Sequence, residues 1–344
     1  MKTLAVNSVD APAILTSTGA VTMPRYSQTK AGAKGNFNHS FSAVVIELDE
    51  DNFHYRVLNA DDANGFFDVN GYYTKDSYQP DVKIEALITG DEHAMFMDPK
   101  VLAATYTSDD SIVNTLKPKK IVRHDVLDFF SGSHHHQKSF LTKFAKYQMG
   151  TNVIEDELIL TLKHITDTTP SWAENVLVAS NHHEHLQTWL DSVEPKTEPW
   201  NAKLYHWLMY LMLDNLEEEG KSFKYPNAFQ LWCENTKHDF SIPKITWLER
   251  NTSYKICDIE ISNHGDLGMN GSRGSSVQFS KMGHKMVTGH SHSPQINKGA
   301  YTVGTSTGKL EYTRGPSSWL KTHCVIYPNG KRQLINIVGG RWRA

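Results

Sequence analysis

Apolar and polar positions alternate in several short runs along the chain and take a helical period in others. In SFSAVVIELDEDNFHYRVLNADD, residues 40–62, alternation on both sides of an Asp-rich turn predicts a β-hairpin. GFFDVNGYYT (65–74) adds another turn-bounded strand. From about residue 82 the runs become β-branched and each ends in polar residues: VKIEALITGDEH, KKIVRHDVLDFF, ENVLVASNHHEH, YKICDIEISNHGD and HKMVTGHSHSP, followed by GAYTVGTS. Helical patterning falls between some of them, at roughly 134–148, 152–165, 184–192 and 201–219. Strands alternating with helices predict an α/β layered fold, in which ligands collect beyond the carboxyl ends of the strands.

The ends of the chain read differently. Residues 1–40, rich in Ser, Thr, Gly, Ala and Lys, predict an extended or poorly ordered arm. With the hairpin and strand they form an N-terminal arm and β-rich extension over 1–80, ahead of a main domain at 81–344. A helical insertion is expected at about 195–245, either packed on the core or serving as a lid. The tail, WLKTHCVIYPNGKRQLINIVGGRW, predicts a hairpin turned at Pro328-Asn329-Gly330.

Composition narrows the setting. Of 344 residues, 39% are hydrophobic and eight are Trp, enough for a substantial core. The net charge of −3 gives no overall basic footprint of a dedicated nucleic-acid binder, although a local patch or bound cation can supply the field. Three scattered cysteines, Cys233, Cys257 and Cys324, argue against a disulfide scaffold and against a thiolate zinc site. The N-terminus lacks the unbroken apolar stretch of a signal peptide, and LYHWLMYLMLDNL (204–216) is too short and interrupted to span a bilayer. The expectation is a cytoplasmic protein without a membrane partner.

The candidate chemistry lies at the strand ends. Twelve of the 18 histidines fall in or beside these windows. Asp91 and His93 stand two apart, so in extended chain both face one side. Asp125 ends the next run, Asn181 and His182 the third, His264 the fourth, and His290 and His292 the fifth. Mixed carboxylate and imidazole donors with a shared carboxylate suit two divalent cations a few ångströms apart.

The blocks GDEH (90–93), HDVLD (124–128), SNHH (180–183), NHG (263–265) and GHSH (289–292) occur in the order of the calcineurin-like metallophosphoesterase superfamily, which the chain resembles over about 200 residues. The resemblance implies a four-layer α/β/β/α sandwich. It implies a first metal held by Asp91, His93 and His292, a second by Asn181, His264 and His290, and Asp125 bridging them. His182 would face the scissile phosphate and protonate the leaving oxygen, while a metal-bridging hydroxide attacks phosphorus. Mn2+ is the metal the resemblance suggests; N/O ligation also admits Zn2+, Fe or Ni2+. Two blocks depart from the pattern: His124 replaces a Gly, and Ser180 and His183 replace a Gly and an acid. The missing acid normally steadies the catalytic histidine, a task open to Glu184 or Asp128.

RYSQTKAG, NADD, GDEH, HGDLGMNGSRGS and GPSSW are further similar to phage-encoded members of that superfamily, of the pre-early host-DNA degradation type of the T5-like phages. This implies a phosphodiesterase or nuclease acting on DNA in the infected bacterial cytoplasm. The alternatives are a small-molecule phosphatase or cyclic-nucleotide phosphodiesterase, and a non-hydrolysing phage factor that binds a host protein partner. Nothing in the sequence sets the oligomeric state.

Other motifs add less. HHEH (182–185) lacks the Asp-His pair of metallo-β-lactamase-type hydrolases, and GTSTGK (304–309) is one residue short of a P-loop and is followed by Leu310. GMNGSRGSS (268–276) is either a flexible crossover or a loop that brings Arg273 to a phosphate. SHHHQK (133–138) reads as a helix start, with His135 as a candidate phosphate contact. KPKK (117–120) reads as a solvated loop.

Overall fold

The β-branched runs form two sheets that share one apolar layer. The computed structural model describes residues 1–7, 11–49, 52–133, 136, 139–219, 222–308, 310 and 313–343. The first sheet has six strands in the order Ile245–Leu248, Glu174–Val178, Lys120–Arg123, Ala86–Ile88, Thr322–Ile326 and Arg332–Asn336. The first four run parallel, and the tail hairpin adds the two antiparallel strands. The second sheet has seven strands: Lys255–Ile256, Ile259–Glu260, Lys285–Thr288, Ala300–Thr302, Gln295–Asn297, Lys2–Leu4 and Ala13–Leu15.

Alternation along each strand sets the layers. Ala86, Ile88, Val122, Val176, Val178, Cys324 and Ile326 of the first sheet meet Ile259, Val287, Tyr301 and Val303 of the second in one buried cluster. The intervening residues of the first sheet face helices. Leu177 packs with the helices Ile154–Asp167, Asn181–Ser192, Ala202–Asp214 and Ala228–Asn235. Leu87, Ile121, Val325 and Ile335 pack with Val101, Ile112 and Leu116. On the outer face of the second sheet, Met286 and Ala300 pack against Phe279 of the short helix Ser276–Phe279. The chain is thus a mixed α/β protein.

The first hairpin forms as patterned, with Ser42–Asp49 paired to Asn52–Asn59. GFFDVNGYYT holds two short strands rather than one, Phe66–Asp68 paired to Gly71–Tyr73. The described residues among the first 15 differ from the expected arm. Lys2–Leu4 and Ala13–Leu15 pair with each other, and Lys2 pairs with Gln295 of the second sheet. Backbone hydrogen bonds suffice to extend a sheet edge, so three-residue strands leave no alternation to read. The segment 195–245 packs on the core. Leu204, Leu208, Leu211, Phe229 and Trp232 are buried in the helical cluster, so its longest apolar helix is explained by burial. No described helix is long and apolar enough to cross a membrane.

Candidate metal centre

The parallel strands deliver their polar ends to one edge of the sheets. Beyond Ile88 and Arg123 the backbones stay paired: Glu92, His93 and Ala94 N–H donate to the carbonyls of His124, Asp125 and Val126 at 3.0, 2.7 and 2.9 Å. This fixes Asp91 and His93 beside Asp125. From the second sheet, Gly289 N–H donates to the His264 carbonyl at 2.6 Å and seats the GHSH turn against it. A Cβ on Gly289 would lie 2.3 Å from Asp91 Oδ1 and 3.0 Å from His124 Cγ, so only glycine lets the turn approach this closely. His93, Asp125, His290 and His292 all adopt left-handed φ, at 40°, 42°, 69° and 55°. Such conformations cost energy in non-glycine residues and concentrate where function requires an aimed side chain.

The side chains converge in two groups drawn from the residues read from the sequence. Donor atoms of Asp91, His93 and His292 lie within 4.8 Å of one another, and so do those of Asp125, His264 and His290. In the first set His93 Nε2 and His292 Nε2 are 3.2 Å apart, and His292 Nε2 is 3.0 Å from Asp91 Oδ2. In the second, His264 Nε2 is 2.9 Å from Asp125 Oδ2, and the His264 and His290 rings are 5.3 Å apart. Asn181 lines the same cleft, and its buried Oδ1 has no hydrogen-bond partner. Both Asp91 carboxylate oxygens, Asp125 Oδ1, His264 Nε2 and His292 Nδ1 are likewise buried without an aligned partner. Close donors that do not point along each other's hydrogen bonds are poorly satisfied as a protein network. They fit cations, whose ligand atoms converge on a point. All are N or O donors, as Mn2+, Fe, Zn2+ or Ni2+ accept.

Burial and charge pull the acids and imidazoles apart. Burial would raise Asp125, but His264, His182 and His93 hold it well below the usual carboxylate range. Asp91 is lowered against the same burial cost by His292 and His264. Burial would lower His93, yet Asp128, Asp125 and Asp91 push it up to about 9. His290 and His292 are lowered, mainly by burial, towards the neutral imidazole that metal ligation needs.

Two residues join the cluster that the block pattern did not assign. His124 is buried with Nδ1 3.2 Å from His264 Nδ1, and forms a further donor group with Asp91 and His264. Burial and the neighbouring His264 push its pKa down to about 4. Asp128 Oδ2 lies 2.8 Å from His93 Nδ1, and Asp128 groups with His93 and His182. The sequence signal for both was their place in HDVLD, flanking Asp125.

The departures in SNHH have local causes. Ser180 caps the helix Asn181–Ser192, its hydroxyl accepting from His183 N–H, which stations Asn181 and His182 on the first turn. His183 turns inward, its ring 5.6 Å from Phe229, and burial pushes its pKa down to about 3. Of the two acids that could take the missing acid's task, Glu184 is engaged elsewhere. Glu184 pairs with Arg250 at 2.6 Å. His182 Nδ1–H instead donates to the Asp128 carbonyl at 2.7 Å, with the Asp128 carboxylate 4.0 Å away.

The cluster floors a cleft of about 610 Å³, the size of a small-ligand site. Arg273 lines it as the loop reading expected. A Cβ on Gly274 would meet the Gly265 carbonyl at 1.9 Å, so glycine brings this loop against the His264 turn. His136 and His185 also line the cleft. His135 lies outside the described residues, and among the described residues none from 195–245 reaches the cleft.

No protein-family model and no solved structure matches the chain. It is similar to Protein A1 of Escherichia phage T5, with 36% identity over an alignment of 344 residues covering 95% of this chain. The chain spans 59% of that relative's length, and the likeness supports a phage-type protein.

Proposed function

We propose that the chain is a calcineurin-like metallophosphoesterase with the four-layer sandwich of that superfamily, hydrolysing phosphodiesters with two divalent cations, and that its substrate is DNA. The observation that carries this reading is the convergence of Asp91, His93 and His292, and of Asp125, His264 and His290, at the carboxyl ends of two packed sheets. Asp91, His93 and His292 would hold one cation, Asn181, His264 and His290 the other, with Asp125 between them. Bound there, divalent cations polarise a phosphoryl oxygen and lower the pKa of a water.

The chain's own residues account for the rest. With Nδ1–H donated to the Asp128 carbonyl, His182 presents Nε2 to the cleft. Protonated, that nitrogen donates to the leaving oxygen. Arg273, exposed at the cleft, neutralises a non-bridging phosphate oxygen. Residues 1–80 form an extension to the domain at 81–344. The similarity to a phage protein supports an activity in the infected bacterial cytoplasm. Mn2+ is the metal expected from the superfamily resemblance.

The test is turnover of bis-p-nitrophenyl phosphate, single- and double-stranded DNA and a cyclic nucleotide by the purified chain with Mn2+, alongside metal content by mass spectrometry. Metal-dependent turnover of the diesters is expected. Turnover of the cyclic nucleotide alone would transfer the function to a small-molecule esterase. Two bound metals without any turnover would make the chain a binding factor for a host partner.

A further inference from the structure

The walls of the cleft differ in chemistry from its floor. The floor is ionic and deep: Asp125 is 1% and His292 4% exposed. Phe96, Phe130, Leu310 and Trp319 line the same cleft above it. The rings hold each other in place. Phe130 packs edge-on against Phe96 and His136, with centroids 5.3 and 5.5 Å apart, and Trp319 packs edge-on against His292 at 4.3 Å. Lys146 Nζ sits 4.2 Å from the Phe130 centroid. A wall already ordered by such contacts loses little further entropy when a ligand binds.

We propose that this wall is a nucleobase subsite, and that the cleft accepts single-stranded DNA with one unstacked base beside the scissile phosphate. The inference rests on the phosphoesterase reading. A phosphate that meets donors so nearly inaccessible must descend into the cleft, and its ester substituents then touch the walls. A small polar substituent would leave aromatic surface uncovered, whereas every base offers a π-face that stacks on it. In a duplex that face is already stacked and paired, and exposing it costs a few kcal/mol. A single strand avoids this cost. Arg273, exposed on the same cleft, is free of that floor and suits the neighbouring backbone phosphate. In the reaction a water oxygen bonds to phosphorus and the P–O ester bond breaks. The proton passes to the departing oxygen, leaving a monoester and an alcohol.

The experiment compares two diesters with one leaving group: thymidine 5′-(p-nitrophenyl phosphate) and methyl p-nitrophenyl phosphate, with the full chain in Mn2+. The wild type should favour the nucleoside ester, and Phe96→Ala and Trp319→Leu should each reduce that preference, as the ratio of kcat/KM values, by about tenfold. Metal content and thermal unfolding are measured for each variant to separate loss of the wall from loss of fold. A short single-stranded oligonucleotide should be cut at least about tenfold faster than its duplex. Equal kcat/KM on the two esters, an unchanged ratio in both variants, or equal cutting of duplex and single strand would overturn the subsite. If neither ester turns over, equilibrium dialysis with Mn2+ keeps the subsite testable apart from hydrolysis. Thymidine 5′-monophosphate should bind to the wild type and weaken about tenfold in Phe96→Ala. Binding no tighter than that of methyl phosphate would overturn it.

Discussion

Two buried polar clusters sit back to back on the same strand ends, and they are satisfied in opposite ways. Facing the cleft are Asp91, His93 and Asp125. Facing the helices are Glu92, which stands between the first two, and Arg123, two residues before the third. Arg123 is wholly buried, and its donors are matched: Nε to Asn175 Oδ1 at 2.9 Å, Nη1 to Glu92 Oε2 at 2.8 Å and Tyr106 Oη at 3.0 Å, Nη2 to Thr168 Oγ1 at 2.8 Å. Glu92 also accepts from Tyr106 Oη at 2.6 Å and His164 Nε2 at 2.7 Å. Arg123 thereby ties together the strands that end in Asp91, Asp125 and Asn181. Burial alone would raise Glu92; Arg123 and His164 hold it well below the usual carboxylate range. On the helix side the charged groups are all paired within the protein, and Asn175 Nδ2 is the network atom left buried without a partner. The cleft side brings donors equally close but leaves them unaligned, as expected where a cation completes them.

Asp125→Asn should separate the two sides most sharply. It removes the carboxylate proposed to stand between the two cations, so metal content and turnover should both fall by at least about a hundredfold, the upper end of what even an outer-shell change costs. In chelator its unfolding midpoint in urea should shift less than that of a variant on the helix side. Retained metal and turnover would refute the bridging assignment.

Glu92→Gln should reverse that order. It strands the buried Arg123 charge without its partner, which costs about 3–5 kcal/mol when one member of a buried pair is removed. Urea unfolding in chelator measures it, and a loss below about 1 kcal/mol would show that the network is not a stabilising element.

The helix side also carries a pH dependence. Gly90 N–H donates to His323 Nδ1 at 2.8 Å, leaving Nε2–H for Thr105 Oγ1 at 2.9 Å. Burial pushes His323 down to about 4 from its ordinary 6.5. A folded-state pKa below the unfolded one means that the unfolded chain takes up the proton first. Stability from this residue is therefore intact above pH 6.5 and declines as pH falls towards 4, by about 3 kcal/mol across the window. His323→Gln should flatten that decline in metal-free protein. An unchanged slope would assign it to other groups.

How far the sequence discloses these two sides follows from how each is built. The cleft side was legible because strands present alternate residues to one face and parallel strands end at one edge, so five short blocks in order locate a convergent donor set. The packing of 195–245 was legible in the apolar face of Ala202–Asp214 only as one of two alternatives, because a lid helix and a core helix share a period. The helix side was not legible: Glu92, Arg123, Asn175 and Thr168 lie up to 83 residues apart, counting from 92 to 175, and only Glu92 falls in a motif, at a position of GDEH to which the motif gives no role. Nor did HDVLD disclose that Asp128 would serve His182 through its backbone carbonyl, since any residue type has one.

That last contact yields the smallest expected effect and the finest distinction. Glu184 follows the SNHH block at the place where an orienting acid could be sought. Its side chain is 48% exposed and paired with Arg250, itself held by Asp266 at 2.7 Å. An exposed pair of this kind contributes about 0–1 kcal/mol. Glu184→Gln should therefore leave kcat, KM and the pH profile within about twofold of wild type, and lower stability by no more than that amount. Asp128→Asn should disturb turnover far more, because its carboxylate holds His93 Nδ1 at 2.8 Å, while the backbone carbonyl that orients His182 stays in place. If Glu184→Gln instead matched Asp128→Asn in its kcat loss and pH profile, His182 would take its orientation from the helix rather than from the HDVLD turn.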